Sequence, residues 1–267
     1  MRNRVLIISA VALFGALVFL PIRSVRTGAQ LQVAAKPQAT TTPDFSGIWL
    51  GRGIQSLSLS DPGAKKPAGT EPDIPYQPWA LAKVKSQKPA TGPNQTFENT
   101  DDPALKYADP DGYPRALIHP WRFKIVQTPD SMYILFEYNQ SWRPIAMNRE
   151  HSKDPDATWF GEAVGKWEGD TLVVDAIGFN DRPWLDPIGH PRTEKLHLVE
   201  HWRRVDHDTL VDELLIDDPG AYTKPWPSKL TFKLDHSGDL RESIFTISDE
   251  LRFRKDIINP TKKAASK

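Results

Sequence analysis

Four groups of side chains in this sequence have the types and spacing to do chemistry: His197 with His201, Glu200, His190 with its acidic neighbours, and His151. The run His197-Leu198-Val199-Glu200-His201 matches H-x-x-E-H, the inverted zinc-protease pattern. That pattern can share a metal only on a helix, where residues four apart lie on one face about 6 Å apart. On a strand the two imidazoles would stand roughly 13 Å apart. The segment runs straight into the turn Asp206-His207-Asp208, so it reads as a strand, and neither a metal nor another cofactor is expected. On that reading Leu196, Leu198, Glu200 and Trp202 share one face, with His197, Val199, His201 and Arg203 on the other. If the first face is inward, Glu200 is a carboxyl group in an apolar lumen. It would then act as a general acid or pair with an inward Arg, and pairing is the preferred reading.

His190 lies in the loop Asn180–Glu194, which also carries Asp181, Trp184 and Asp186. A carboxylate beside an imidazole orients it and suits it to proton transfer, so His190 with Asp181 or Asp186 is the first acid–base candidate. Glu200 or His151 would be its partner. His151 sits in a second loop, Asn148–Thr158, with Arg149, Asp154 and Asp156; the Asp154-Pro155-Asp156 run reads as a solvated turn. Trp184, Trp159, Asn180, Phe179 and Arg149 are the expected ligand contacts. Aromatic side chains of this kind serve stacking on a ligand, although core packing claims at least half of them. No nucleophile elbow, phosphate-binding glycine loop or dinucleotide fingerprint is present.

The elements that must position these groups read as β. Strands are expected at Phe45–Leu50, Phe123–Thr128, Met132–Tyr138 and Trp142–Met147. Three hairpins follow, at Lys166–Val173, Arg204–Val211 and Leu234–Leu240, each with a Gly/Asp turn between apolar runs. Nine to eleven strands result, an all-β antiparallel meander long enough to close into a lipocalin-like, calycin-type barrel. Between Gly51 and His119 ten prolines leave room for one short helix, Pro78–Gln87. This stretch is expected to be an ordered wrap, because Tyr76, Trp79, Phe97, Tyr107 and Trp121 are costly to leave in water.

The 267 residues suit one domain, expected over 44–258, with 30–43 as a linker and 259–267 as a tail. Arg2 and Arg4 precede the apolar run Val5–Leu20, and small residues at Thr27 and Ala29 complete the pattern of a secretory signal over 1–29. Export to the periplasm or beyond is therefore expected, with membrane contact only through residues 5–22 if the signal stays uncleaved. Removing the four Arg of that segment leaves 30 basic against 34 acidic residues, an interspersed balance that disfavours nucleic acid as a partner. With no Cys, disulfides and thiolate metal sites are excluded.

The wording of several segments resembles a widespread family of exported bacterial proteins without an agreed activity. These are Gln127-Thr128-Pro129, Pro155 to Trp159, the block Val164-Gly165-Lys166-Trp167-Glu168-Gly169-Asp170-Thr171-Leu172-Val173-Val174-Asp175, Gly178-Phe179-Asn180-Asp181, Trp184-Leu185-Asp186, Gly189-His190-Pro191 and Ile216-Asp217-Asp218-Pro219. The resemblance covers most of residues 44–250 and implies export and a lipocalin-like β domain. Family members often carry a Cys near Tyr107 and near Ile247; their absence here means that no thiol role carries over. Together these features lead to the expectation of a small, mainly apolar or aromatic ligand at the barrel mouth beneath Asn180–Glu194. Cofactor-free lyase, isomerase or hydrolase chemistry in that pocket and a protein-docking surface are the alternatives.

Overall fold

The computed structural model of the protein describes residues 42–51, 57, 74–90, 96, 99–253 and 255. The expected signal segment 1–29, most of the linker, Phe97 and the tail 259–267 lie outside the described residues. Among those described, no helix is long and apolar enough to cross a membrane.

Nine strands form one closed barrel in sequence order. They are β1 (Gly47–Gly51), β2 (Arg122–Gln127), β3 (Ser131–Phe136), β4 (Trp142–Met147), β5 (Glu162–Glu168), β6 (Thr171–Ile177), β7 (His197–Asp206), β8 (Thr209–Asp217) and β9 (Trp226–Leu234). Strict alternation sets the faces: Leu172, Val174 and Ala176 of β6 are buried, as are Leu198, Glu200 and Trp202 of β7, whereas His201 and Arg203 are exposed. The β5–β6 turn needs only Gly169 and Asp170, and Gly169 takes the positive φ (66°) that such a two-residue turn requires at its first position.

Two expectations about topology are corrected. The sheet is mixed, because β4 and β5 run parallel through the pairs Ala146↔Val164 and Met147↔Gly165. The crossover 148–161 carries the chain back to the same end, which a simple meander does not do. The third hairpin also fails: residues 235–240 form no strand. The edge of β9 is already taken by β1, through Trp49↔Leu234, Leu50↔Lys233 and Gly51↔Phe232, so nothing remains for a tenth strand to pair with.

Trp49 of β1 is fully buried, its indole N–H donating to the Phe45 carbonyl and its ring covered by the Arg204 guanidinium 5.2 Å away. The Pro-rich stretch contributes the expected helix α1 (Pro78–Ser86), a one-turn α2 (Pro103–Lys106) and a 3-10 turn (Arg115–Leu117), and a C-terminal α3 (Ile247–Phe253) follows the barrel. The wrap is anchored differently from the expectation. Trp79, Tyr107 and Trp121 are exposed, and the buried anchors are Ile74, Ala80, Val84, Tyr113, Leu117 and Ile118. An exposed indole still finds a polar partner at its edge: Trp79 Nε1 donates to the Gly220 carbonyl at 2.8 Å.

Candidate functional site in the barrel lumen

Glu200 stands on the inward face of β7 with no exposed surface. Its carboxylate accepts four hydrogen bonds. Arg143 of β4 donates through Nη2 to Oε1 at 2.6 Å and through Nη1 to Oε2 at 3.1 Å. Trp202, two residues along the same face, donates its indole N–H to Oε2 at 2.8 Å, and the Tyr113 hydroxyl donates to the same oxygen. The Tyr113 ring also lies 3.6 Å from the Arg143 guanidinium carbon, in stacking distance. Of the two readings of Glu200, pairing with an inward Arg is the one the contacts match.

Tyr113 reaches the lumen from the wrap because of its neighbour. Gly112 is left-handed (φ 67°), and a Cβ there would lie 2.7 Å from the Trp159 carbonyl oxygen. The Tyr113 amide donates to that same carbonyl. Arg192, buried, then clamps the three segments by donating to the carbonyls of Tyr113, Trp159 and Asn180 and to Asn180 Oδ1.

The fifth polar group is Asp212 of β8, directly opposite Trp202 in one ladder and Leu230 in the other. It is fully buried, and neither carboxyl oxygen has a hydrogen-bond partner among the described residues. Burial and then the Glu200 charge raise its pKa well above the ordinary carboxylate value, with Arg143 pulling the other way. Burial likewise pushes the Tyr113 hydroxyl well up, so it remains a donor. Aromatic rings close around the cluster: Trp202 stacks on Phe232 with ring centroids 5.8 Å apart, and Phe123 meets Phe232 edge-on at 4.9 Å.

The Asn180–Glu194 loop is packed rather than open. Trp184, Leu185, Asp186, Ile188, His190 and Arg192 are all buried. Asp186 organises it: Oδ1 accepts from the amides of Ile188, Gly189 and His190, while Oδ2 accepts from the Leu57 amide and contacts His190 Nδ1. Although burial opposes it, His190 and these amides hold the Asp186 carboxyl below its usual range. His190 packs its ring near Tyr76 and Trp226. Asp181 is exposed and separate from that pair, and Phe179 is core. Trp159 is half-buried beneath the Arg182 guanidinium, and Asn180 is engaged by Arg192.

His151 does not join His190. It bridges Glu162 (Nδ1, 3.0 Å) and Asp175 (Nε2, 2.8 Å), and Asp175 in turn contacts His197 Nε2 at 3.0 Å. Arg149 and Asp175 line an adjoining groove of about 450 Å³ over the β4–β5 join. His197 and His201 lie on a strand, as their flanking residues indicate, and no group of three His, Asp or Glu among the described residues is placed to hold a metal ion.

Arg143, Tyr113 and Asp212 were not among the sequence candidates. Two of them carried a signal: Arg143 shares its strand face with Ile145 and Met147, and Asp212 shares its own with Leu210 and Leu214. A charged residue in phase with an apolar alternation marks an inward charge. Tyr113 carried none, because irregular backbone delivers it. Compared with known proteins, the chain matches no family model and no curated sequence. Fold and site together define the class: a closed, nine-stranded mixed β-barrel with an ion-paired polar cluster inside an aromatic lumen.

Proposed function

We propose that this protein is an exported β-barrel that binds a small, mainly apolar or aromatic molecule in its lumen, against the Asp212–Glu200–Arg143 cluster. One observation carries the reading: Asp212 is fully buried with both oxygens unpartnered among the described residues. A buried polar group without a partner costs about 1–3 kcal/mol, a loss that a ligand with a complementary polar group removes. The aromatic walls supply the apolar contact such sites use. The site lies deeper than the mouth, because the Asn180–Glu194 loop is filled by its own side chains. Export rests on the Arg2, Arg4 and Val5–Leu20 pattern.

Native mass spectrometry of the protein taken from its exported fraction, beside the denatured mass, tests the reading. A reproducible extra mass is expected in the native protein and should be absent from Asp212→Leu. If Asp212 is only a structural fault, Asp212→Leu instead raises stability by about 1–3 kcal/mol in both apo and as-isolated protein, and no mass is lost.

A second reading, acid–base catalysis without a cofactor, is favoured by the contrast between the two lumen carboxyls. Glu200 is held by four donors and Asp212 by none, and environments that differ in this way separate an acid from a base.

A further inference from the structure

The chemistry around Asp212 specifies more than a generic ligand. We infer that the lumen takes a small primary ammonium, an alkyl- or arylalkyl-amine cation, whose N–H groups bond both oxygens of Asp212 while its carbon skeleton lies against Trp202 and Phe232. This deepens the proposed lumen site and rests on that reading.

Three observations converge on a cation. The first is what is missing at Asp212: neither oxygen has a partner among the described residues. A neutral carbonyl ligand has no donor to give these oxygens and could only accept, from a protonated Asp212 or from Arg143 Nε, which is also unpartnered, whereas an ammonium offers three donors. The second is charge. Among the described residues Arg143 is the one cation facing the cluster, and Glu200 already engages it in a two-pronged pair, with Nη2 on Oε1 and Nη1 on Oε2. The second carboxyl, Asp212, therefore has no cation among the described residues to pair with when it ionises. The third is the wall, since aromatic faces attract alkylammonium groups and Trp202, stacked on Phe232, stands directly beside Asp212 across the β7–β8 ladder.

The groups facing Asp212 also set the pH behaviour. These are Glu200 from β7, Arg143 from β4 and Tyr113 from the wrap; on its own strand Glu213 adds a weaker negative influence. β9 faces Asp212 with Leu230 and carries no charge there. Burial and the Glu200 charge favour the protonated carboxyl in the empty site. An arriving ammonium favours the carboxylate: the proton goes to solvent and the positive charge of the ligand takes its place. No bond to carbon is made or broken. Binding therefore releases up to one proton, and affinity rises with pH by about tenfold per unit for as long as the empty site is protonated.

Calorimetry of the full chain with methylammonium and with 2-phenylethylammonium, each in two buffers of different ionisation heat, reads this directly. The uncharged control is 2-phenylethanol. Expected are binding of at least one amine, a net release of protons on binding, and an affinity that climbs with pH. Asp212→Asn, which keeps the shape of the protonated acid, should weaken amine binding by about 30-fold or more and remove the pH dependence. The proton count on the unmodified protein keeps the test independent of how the variant folds. Binding of neither amine, equal affinity for the alcohol, or an affinity flat in pH would overturn the cation. A neutral ligand found by native mass spectrometry and lost in Asp212→Leu would overturn the cation while leaving the lumen site intact; no adduct and no amine binding would sink both.

Discussion

Removing the guanidinium from the lumen, by Arg143→Met, is the most direct probe of how dry the cluster is. Arg143 and Glu200 are both fully buried, and Arg143 supplies two of the four hydrogen bonds to the Glu200 carboxylate. Met fills much of the same volume but leaves Glu200 with only the Tyr113 and Trp202 donors, and those two converge on Oε2. An uncompensated carboxylate in a low-dielectric interior costs about 3–5 kcal/mol. Urea unfolding followed by tryptophan fluorescence reports that loss. The double variant Arg143→Met/Glu200→Gln removes the stranded charge while the Gln carbonyl can still accept from Tyr113 and Trp202. It should be more stable than the single variant by about 1 kcal/mol or more. A loss below about 1 kcal/mol for Arg143→Met would match solvent-exposed pairs. The lumen would then be wet, and the case for a ligand at Asp212 would lose its physical basis.

Two further substitutions separate the packed loop from the outer face. Asp186→Ala strips acceptors from four amides and the imidazole of His190, so a loss of about 3 kcal/mol or more is expected, with hydrogen exchange fastest over residues 184–190. Unchanged exchange there would mean that the loop is held by its apolar contacts alone. His151→Ala removes a half-buried bridge between Glu162 and Asp175 and should cost within about 1 kcal/mol while speeding exchange in 148–161. A global loss as large as that of Asp186→Ala would show that the bridge supports the barrel itself.

Where one strand face was in question, the sequence was readable to the residue. Leu198, Glu200 and Trp202 lie inside and His201 and Arg203 outside, because a period of two admits only these two registers and burial selects one. The same parity exposes Arg143 and Asp212 once a charged residue in an apolar phase is taken as seriously as an apolar one. Pairing between strands was less readable. Nothing local distinguishes the parallel β4–β5 contact, since its direction depends on where the crossover 148–161 lands. Nor do residues 235–240 differ in turn chemistry from the true hairpins; what excludes a strand there is the occupation of the β9 edge by β1. The aromatic residues of the wrap misled for a related reason. Tyr107 and Trp121 count equally with Tyr113 in composition, and only the left-handed turn at Gly112 decides which ring enters the barrel.

The two-pair contact between β4 and β5 bears on assembly and on where this chain can be divided. Apart from the β1–β9 closure, strands β1 to β4 pair with sequential neighbours on one side of that join, and β5 to β9 do so on the other. Within these two runs the hairpins β2–β3, β3–β4, β5–β6 and β7–β8 can zip from short loops at low entropic cost, whereas β1–β2 and β6–β7 span longer connections, and ring closure comes afterwards through β1–β9 and β4–β5. A cut within 152–157 interrupts neither run. The molecule is thus composed like two complementary halves, and fragments ending and beginning there should recombine into a working barrel, which makes this crossover the natural place to insert a reporter or to exchange one half for that of a relative.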